Sequence, residues 1–379
     1  MRILHTVEFY DPHVGGAERV VQRVSEGLSR RGHEVVVATS WDPARTADRV
    51  NGVQIAPFRI GGNYVRGMTG EVSRYQDWLR LGQFDVVMNY AAQAWPTDAA
   101  LPVLQQLGAA SVLATCGFSG RYGLRRVLYA GYFRMLRDRI RAYDALIYHH
   151  EGGADAAFGR RYGPGHQVVI ANGADAAEFT GLPLFRSRYN IKTRHLLLHV
   201  GNHHRVKGHT DLLRVLHALR ALDATLVVIG EDPGGWGSCW EACARAAQLE
   251  PRFVVLRSIP RIDVVSAFLD ADVVLLPSRF EAAPLVLVEA MAAGVPFVSY
   301  DVGNARVLPG GLVTRGPAET ADAVRGLLAD DGRRRALGRA GQEFQRRALE
   351  WDVIVQQYET VFASLVARKT LGHRASGIS

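Results

Sequence analysis

Lysine is nearly absent from this sequence: of 45 basic residues only Lys192, Lys207 and Lys369 are lysine. Cysteine is scarce as well. Cys116, Cys239 and Cys243 supply neither a disulfide framework nor a zinc signature. Cys239 and Cys243, four apart on an expected helix, read as small apolar packing residues. His203 and His204 lack ligand partners at usable spacing and read as structural, so no metal site is expected. No apolar run approaches the roughly 18 residues of a membrane span. The amino end, MRILHTVEF, has no charged stretch followed by an apolar one, so no secretory leader is expected. These absences point to a cytoplasmic chain.

The net charge of +8 is compatible with nucleic acid, an anionic membrane or phosphorylated substrates. Aromatic stacking platforms and a known nucleic-acid module are missing, so no nucleic-acid partner is expected. A chain of 379 residues has material for two cores.

The most informative stretch is PSRFEAAPLVLVEAMAAGVP, Pro277–Pro296. A short loop carries Glu281, followed by Ala282, Ala283 and Pro284. Proline suits the first turn of a helix because its missing N–H costs nothing there. The helix LVLVEAMAA holds Glu289 and stops at Gly294 and Pro296. Free amides at a helix start bind phosphate, and nearby carboxylates accept hydrogen bonds from hydroxyls. Phosphate beside sugar hydroxyls describes a nucleotide-sugar.

The remaining pattern supports that reading. A strand at Arg2–Val7, a loop to Gly15-Gly16, a helix at Ala17–Arg31 and a strand at His33–Ser40 form one strand–loop–helix–strand unit. Paired glycines let backbone approach a ligand at the carboxyl end of the first strand. Further strands are expected at Val53–Phe58, Phe84–Met88, Ser111–Cys116, Ala145–His149 and Val168–Ala171. Tyr122–Ala142 reads as one arginine-rich amphipathic helix, able to lie on an anionic membrane. Its apolar stripe would be Leu124, Leu128, Phe133, Leu136 and Ile140.

Gly181–Arg194 reads as a linker between an N-terminal domain, 1–180, and a second domain, 195–350. In the second, a strand at His195–Val200 precedes the loop GNHHRVKGH. There Arg205 and Lys207 could neutralise a diphosphate, lysine acting as a flexible point charge. Helix, strand and helix follow at Trp236–Leu249, Phe253–Arg257 and Asp263–Leu269. Asp270-Ala-Asp272 matches the D-x-D pattern that holds a divalent cation in some enzymes, but Asp272 leads straight into the strand VVLLP. The segment Asp331–Lys369 is expected to be helical, with 351–369 crossing back to the first domain, and 370–379 to be a disordered tail.

These motifs resemble family 4 of the retaining glycosyltransferases. PHVGGAERVVQRVSEGLSRRGHEVVVAT is similar to the family's N-terminal glycine-loop unit, and IANGADAAEF to its domain-end pattern. HVGNHHRVKGHTDLL is similar to its phosphate-clamp loop, and EAAPLVLVEAMAAGVPFV to its E-x7-E signature. The resemblance implies the GT-B architecture, two doubly wound parallel-sheet α/β domains facing across a cleft. It implies transfer of a sugar from a nucleoside-diphosphate sugar, UDP or GDP, to an acceptor hydroxyl with retention. No tightly bound cofactor or metal would be required. Glu281 would contact the donor sugar and Glu289 the ribose. Arg205 and Lys207 would hold the diphosphate with the amides of Leu285 and Val286 and the Gly15-Gly16 loop. Arg257, Ser258 and Ile259 would line the base pocket. Asn202 stands where an arginine is usual, Ala282 and Arg257 where glycine is, and Cys116-Gly117 where many members have histidine. Lipid-linked, glycan and small-molecule acceptors all fit. A nucleotide-sugar epimerase and a non-catalytic nucleotide-sugar-binding subunit are the alternatives.

Overall fold

The structure, a computed structural model, describes residues 1–13, 15–119, 125–235 and 237–376, without side chains at 125, 126 and 372–376. It divides into two compact units. One is Met1–Ala171 with Trp351–Ser379, the other Asn172–Glu350.

The first unit is built on an eight-stranded sheet. From one edge the strands are Gln167–Val169, Ala145–Tyr148, Ala110–Ala114, Val86–Tyr90, Arg2–Thr6, Glu34–Ser40, Val53–Phe58 and Arg49–Val50. All pairings are parallel except that of the two-residue edge strand Arg49–Val50. The central strands are buried along their length, as a sheet covered on both faces demands. The strand expected from Phe84 starts two residues later, because the Asp85 carboxylate accepts the Arg2 N–H at 2.6 Å. Helix Gly16–Arg30 covers one face with Val20, Val21, Val24 and Leu28 buried.

The arginine-rich stretch is not one helix. Its first residues, through Leu124, lie outside the described residues. The rest forms Arg125–Leu128, then Ala130–Arg139, then a 3-10 turn Ile140–Ala142. The break falls at Tyr129, whose φ of −92° and ψ of 0° leave the helical range. Tyr132, Leu136 and Ile140, spaced by four, enter the core. Val127 and Leu128 do not; they are 73% and 69% exposed.

The second unit has a six-stranded, all-parallel sheet in the order Phe253–Leu256, Ala224–Ile229, His195–Val200, Val273–Leu276, Phe297–Tyr300, Gly311–Thr314. Within the unit this is the strand order 3-2-1-4-5-6 of the dinucleotide-binding folds. The order reverses between His195–Val200 and Val273–Leu276, so the loops leaving those strands flank a crevice position. The helix expected from Trp236 begins at Trp240, and Trp236 itself lies outside the described residues.

Gly181–Arg194 is integrated into this unit. Phe185 is buried within a short helix, Phe185–Arg188. The Arg186 guanidinium donates to the Thr193 carbonyl at 2.8 Å and to Asp272 at 3.1 Å, and Tyr189 donates to Asp263 at 2.8 Å.

The carboxyl-terminal helical segment is two helices, Asp331–Ala348 and Trp351–Ser376. Between them the Ala174 N–H donates to the Leu349 carbonyl at 2.9 Å and Ala174 bridges Glu350. Backbone committed to that pairing cannot continue a helix. Trp351–Ser376 belongs to the first unit and buries Trp351, Ile354, Val355, Tyr358, Phe362 and Leu365. It continues into the stretch expected to be disordered; 377–379 lie outside the described residues.

Helix Trp351–Ser376 approaches helix Gly16–Arg30 closely at Gly27, where an added Cβ would lie 2.5 Å from a Val355 methyl. Valine is stiff at χ1 and cannot swing aside freely. Gly27→Ala is therefore expected to cost about 1–3 kcal/mol, the usual scale of overpacking. Gly131, within helix Ala130–Arg139, has open space around its Cβ position. Gly131→Ala should instead stabilise by about 0.5–1 kcal/mol. Unfolding midpoints that move the same way in both variants would contradict this packing.

Candidate active site

Two loops leave the sheet of the second unit where its strand order reverses. One follows His195–Val200 and makes a 3-10 turn, Arg205–Lys207, ended by Gly208 at φ +75°. The other follows Val273–Leu276 and leads into helix Leu285–Ala292. Backbone joins them, since the Arg279 N–H donates to the Val206 carbonyl at 2.8 Å. Gly208 permits their approach: a Cβ there would lie 2.1 Å from the Pro277 carbonyl oxygen. Across this contact Lys207 Nζ donates to Glu281 Oε1 at 2.7 Å. The pair is mostly enclosed, with side-chain exposures of 28% and 13%. Beneath it, His199 Nδ1 lies 2.9 Å from the Leu275 carbonyl and so donates to it, linking the two strands. Burial pushes the His199 imidazole down to about 4, so it is neutral at physiological pH.

Glu289 is buried in helix Leu285–Ala292 and pairs with Arg261 at 2.7 Å. Arg261 also pairs with Glu178 at 2.8 Å and lies 5.7 Å from the centre of the Phe179 ring. Burial opposes the Arg261 charge, but the two carboxylates outweigh it and raise its pKa. The sequence reading missed Arg261, although a signal existed. It is the first residue of helix Arg261–Asp270, where a cation opposes the helix dipole and so needs an external reason to be there.

Helix Leu285–Ala292 starts with Pro284 at its N-cap, and the Leu287 N–H donates to the Pro284 carbonyl at 3.2 Å. The amides of Leu285 and Val286 belong to the first turn, which has no acceptor within the helix. Behind the loop, the buried Asn172 donates to the Ala283 carbonyl at 2.7 Å. Asn172 sits in the quoted IANGADAAEF motif, yet its role as a brace was not legible there. Ala282 packs against Gly303, where a Cβ would lie 2.6 Å from the Ala282 carbonyl oxygen.

The expected base segment is held from elsewhere. Ser258 is at φ +54°, and Glu231 accepts its N–H at 2.6 Å and its hydroxyl at 3.1 Å. The Arg257 guanidinium lies 4.5 Å from the centre of the Trp240 ring. Ile259 is half-buried. Asn202 Oδ1 accepts the Glu231 N–H at 3.3 Å.

Arg205 is exposed and lines a groove of about 710 Å³ bounded also by Gly208, His209, Asp232, Cys239 and Arg279. Among the described residues its lining includes none of Lys207, Glu281 or Glu289. Asp270 and Asp272 lie at the amino end of strand Val273–Leu276, opposite the edge that carries Glu281. Asp272 is paired with Arg186 and Arg334, and Asp270 accepts the Arg186 N–H at 2.8 Å. In the first unit Gly15 is the extended N-cap of helix Gly16–Arg30, and its Cβ position is 2.2 Å from a Glu18 carboxylate oxygen. Cys116 and Gly117, at φ +55° and +81°, are both in left-handed backbone, with the Gly117 N–H donating to the buried Asp155 at 3.0 Å.

Both units match known families. Residues 14–178 match the family described as Glycosyltransferase Family 4, and residues 194–330 the one described as Glycosyl transferases group 1. The phosphatidyl-myo-inositol mannosyltransferase of Mycolicibacterium smegmatis is 29% identical over 365 residues, 92% of this chain and 90% of that protein. The D-inositol 3-phosphate glycosyltransferase of Xylanimonas cellulosilytica is 32% identical over 182 residues, 46% of this chain and 43% of that protein. The solved sucrose-phosphate synthase of Thermosynechococcus elongatus superposes with a TM-score of 0.82 at 19% identity, over 97% of this chain and 99% of its own. Anabaena HepE in complex with UDP-glucose superposes at 0.78 with 18% identity, over 96% and 100%. These likenesses assign the GT-B fold.

The Gly208 contact yields a test. Gly234→Ala, at φ +65° with open space around the Cβ position, should cost about 1–2 kcal/mol for the left-handed backbone alone. Gly208→Ala meets the Pro277 carbonyl as well, and should cost about 1–3 kcal/mol more. Equal urea midpoints for the two variants would show that the loops do not touch as described.

Proposed function

The chain belongs to the family 4, or group 1, glycosyltransferases, and from that premise we propose that it moves a hexose from a nucleoside-diphosphate sugar to an acceptor hydroxyl with retention. The carrying observation is the Lys207–Glu281 pair, 2.7 Å long at the switch point of the second sheet, where α/β folds take their ligands. Lys207 supplies the positive charge for the diphosphate, helped by the amides of Leu285 and Val286. Glu281, released from Lys207 by the incoming phosphate, accepts hydroxyls of the sugar. Glu289, oriented by Arg261, faces the ribose, and Arg257–Ile259 face the base. Arg205 supplements the local positive charge from the neighbouring groove.

In the transfer, the bond between the anomeric carbon and the diphosphate oxygen breaks. The acceptor oxygen bonds to the same face of that carbon, and its proton passes to the departing phosphate. Fixed positive charge at that phosphate stabilises the developing negative charge. The reading asks for no metal there, because Lys207 and the helix amides fill that role. UDP- and GDP-sugars are the donors to test first. The names of the relatives direct the acceptor search to inositol compounds and their lipids.

Lys207→Ala and Glu281→Ala should each lose about 2–4 kcal/mol of transition-state stabilisation, roughly 30- to 1000-fold in kcat/KM. Unchanged turnover in either variant would remove that residue from the site. Product mass separates transfer from epimerisation, which would consume the donor without an acceptor.

A lipid acceptor would require the chain to meet a membrane. The exposed Val127 and Leu128 beside the exposed Arg134, Arg137, Arg139 and Arg141 suit contact with an anionic surface. Flotation with phosphatidylglycerol vesicles should be strong at low salt and weaken as salt rises. Val127→Asp/Leu128→Asp should reduce it; binding indifferent to both salt and substitution would exclude this surface.

A further inference from the structure

Four side chains of metal-ligating type, none of them a member of the Lys207–Glu281 pair, converge in the second unit. The donor atoms of His203, His209, Cys239 and Cys243 all lie within 4.8 Å of one another. His203, His209 and Cys243 are at most 2% exposed, and Cys239 is half-buried. The sequence reading took Cys239 and Cys243 as small apolar packing residues, set His203 aside for lack of ligand partners at usable spacing, and did not consider His209. Folding removes that objection. Read as two pairs, they form H-x5-H and C-x3-C, spacings within the range of structural zinc ligands, with the histidine pair first.

The hydrogen bonding is what makes the cluster more than four neighbours. Among the described residues, both ring nitrogens of His203 are buried and without a hydrogen-bond partner, and so is Nε2 of His209. Three orphaned imidazole nitrogens in one interior place are unusual, because buried polar atoms are nearly always satisfied. His209 Nδ1 lies 3.4 Å from Cys239 Sγ. The two imidazoles stack with centroids 4.8 Å apart, and the Trp240 ring closes the cluster edge-on to His203 at 4.9 Å. Backbone bonds already set the supporting segments. The His203 N–H donates to the Glu231 carbonyl at 2.8 Å, the Cys239 N–H to the His203 carbonyl at 3.0 Å, and the Arg205 N–H to the Gly237 carbonyl at 2.9 Å.

We propose that His203, His209, Cys239 and Cys243 form a closed, four-coordinate site for one zinc(II) ion, which pins the turn carrying Lys207 to helix Trp240–Leu249. Two imidazoles with two thiolates select a zinc-like ion over magnesium or calcium. Four protein ligands leave no open position, which makes the role structural. Binding releases the two thiol protons, and the resulting zinc dithiolate is neutral, as its buried position requires. Metal–ligand bonds of about 2.0–2.3 Å bring tetrahedral donors to roughly 3.3–3.8 Å from each other, so the cluster contracts by about an ångström. Cys239 and His209 also line the groove with Arg205, which gives the ion an entry path. The site is independent of the donor reading.

The test uses the full chain, tag removed and thiols reduced. Elemental analysis should find one zinc per chain, falling at least tenfold in Cys239→Ser/Cys243→Ser. Cobalt(II) added to the metal-stripped wild-type chain should give the ligand-field bands of a tetrahedral site and thiolate charge-transfer absorption, both displaced by zinc. The cobalt readout needs no substitution, so a variant that fails to fold does not blunt the test. A stripped chain that binds neither ion, a cobalt spectrum without thiolate absorption, or full zinc content in the double variant would overturn the site. So would a Cys239–Cys243 disulfide that persists under the reducing conditions.

Discussion

The second unit depends on the absence of one methyl group. Gly208 brings the turn that carries Lys207 against the Pro277 carbonyl, at a φ of +75° and with no space for a Cβ. Everything proposed for the site follows from that approach. A lysine on one loop reaches a carboxylate on another because their backbones touch first, through Gly208 and through the Arg279 to Val206 hydrogen bond. Without the contact, a four-carbon side chain would sample solvent, and ordering it would cost up to ~2 kcal/mol of rotamer entropy. The fold has met that cost before any ligand arrives.

The sequence carried the layout of this arrangement and little of its bracing. Strand–helix alternation and the glycine positions are local signals, and they located the Lys207 loop and the Glu281 loop correctly as strand exits. Nothing local says that strands His195–Val200 and Val273–Leu276 are neighbours, since that adjacency is a property of sheet order. The same limit hid Asn172, which holds Ala283 from 111 residues away, and Arg261, whose partners lie on two other elements. It also hid the His203–Cys243 cluster. Periodicity failed differently in the arginine-rich stretch. Tyr132, Leu136 and Ile140 do share a face, but Tyr129 breaks the helix, so Leu128 is exposed and never joins the stripe. At the end of the chain, pairing of Leu349 and Glu350 with Ala174 overrode a continuous helical pattern.

Positive charge in the second unit is distributed by pairing. Arg186 and Arg334 are tied to Asp272 at the amino edge of the sheet, and Arg261 is shared by Glu178 and Glu289. These arginines hold architecture together, as planar guanidiniums with several carboxylate partners do well. Among the described residues, Lys207 differs in having a single ion-pair partner, Glu281. In a chain with 45 basic residues and three lysines, the compact, rotatable cation stands where a partner would have to be exchanged.

Exchange gives the pair its proposed significance. In a largely enclosed ion pair the cost of desolvation offsets most of the attraction, so its net contribution is small and exchanging a partner is not prohibitive. Separating it without replacement would strand a largely enclosed carboxylate, whose burial without a partner is costly. On the donor reading, a phosphate group takes Lys207 and a sugar hydroxyl then satisfies Glu281. Either half of the ligand alone completes only half of the exchange: phosphate leaves Glu281 unpartnered, and a free sugar does not displace Lys207. On this proposal the pair would couple recognition of the leaving group to recognition of the sugar through one 2.7 Å contact. On that reading, preference for a ligand that carries both groups follows from electrostatics at that contact, and Glu289 and Arg257–Ile259 add the recognition of ribose and base.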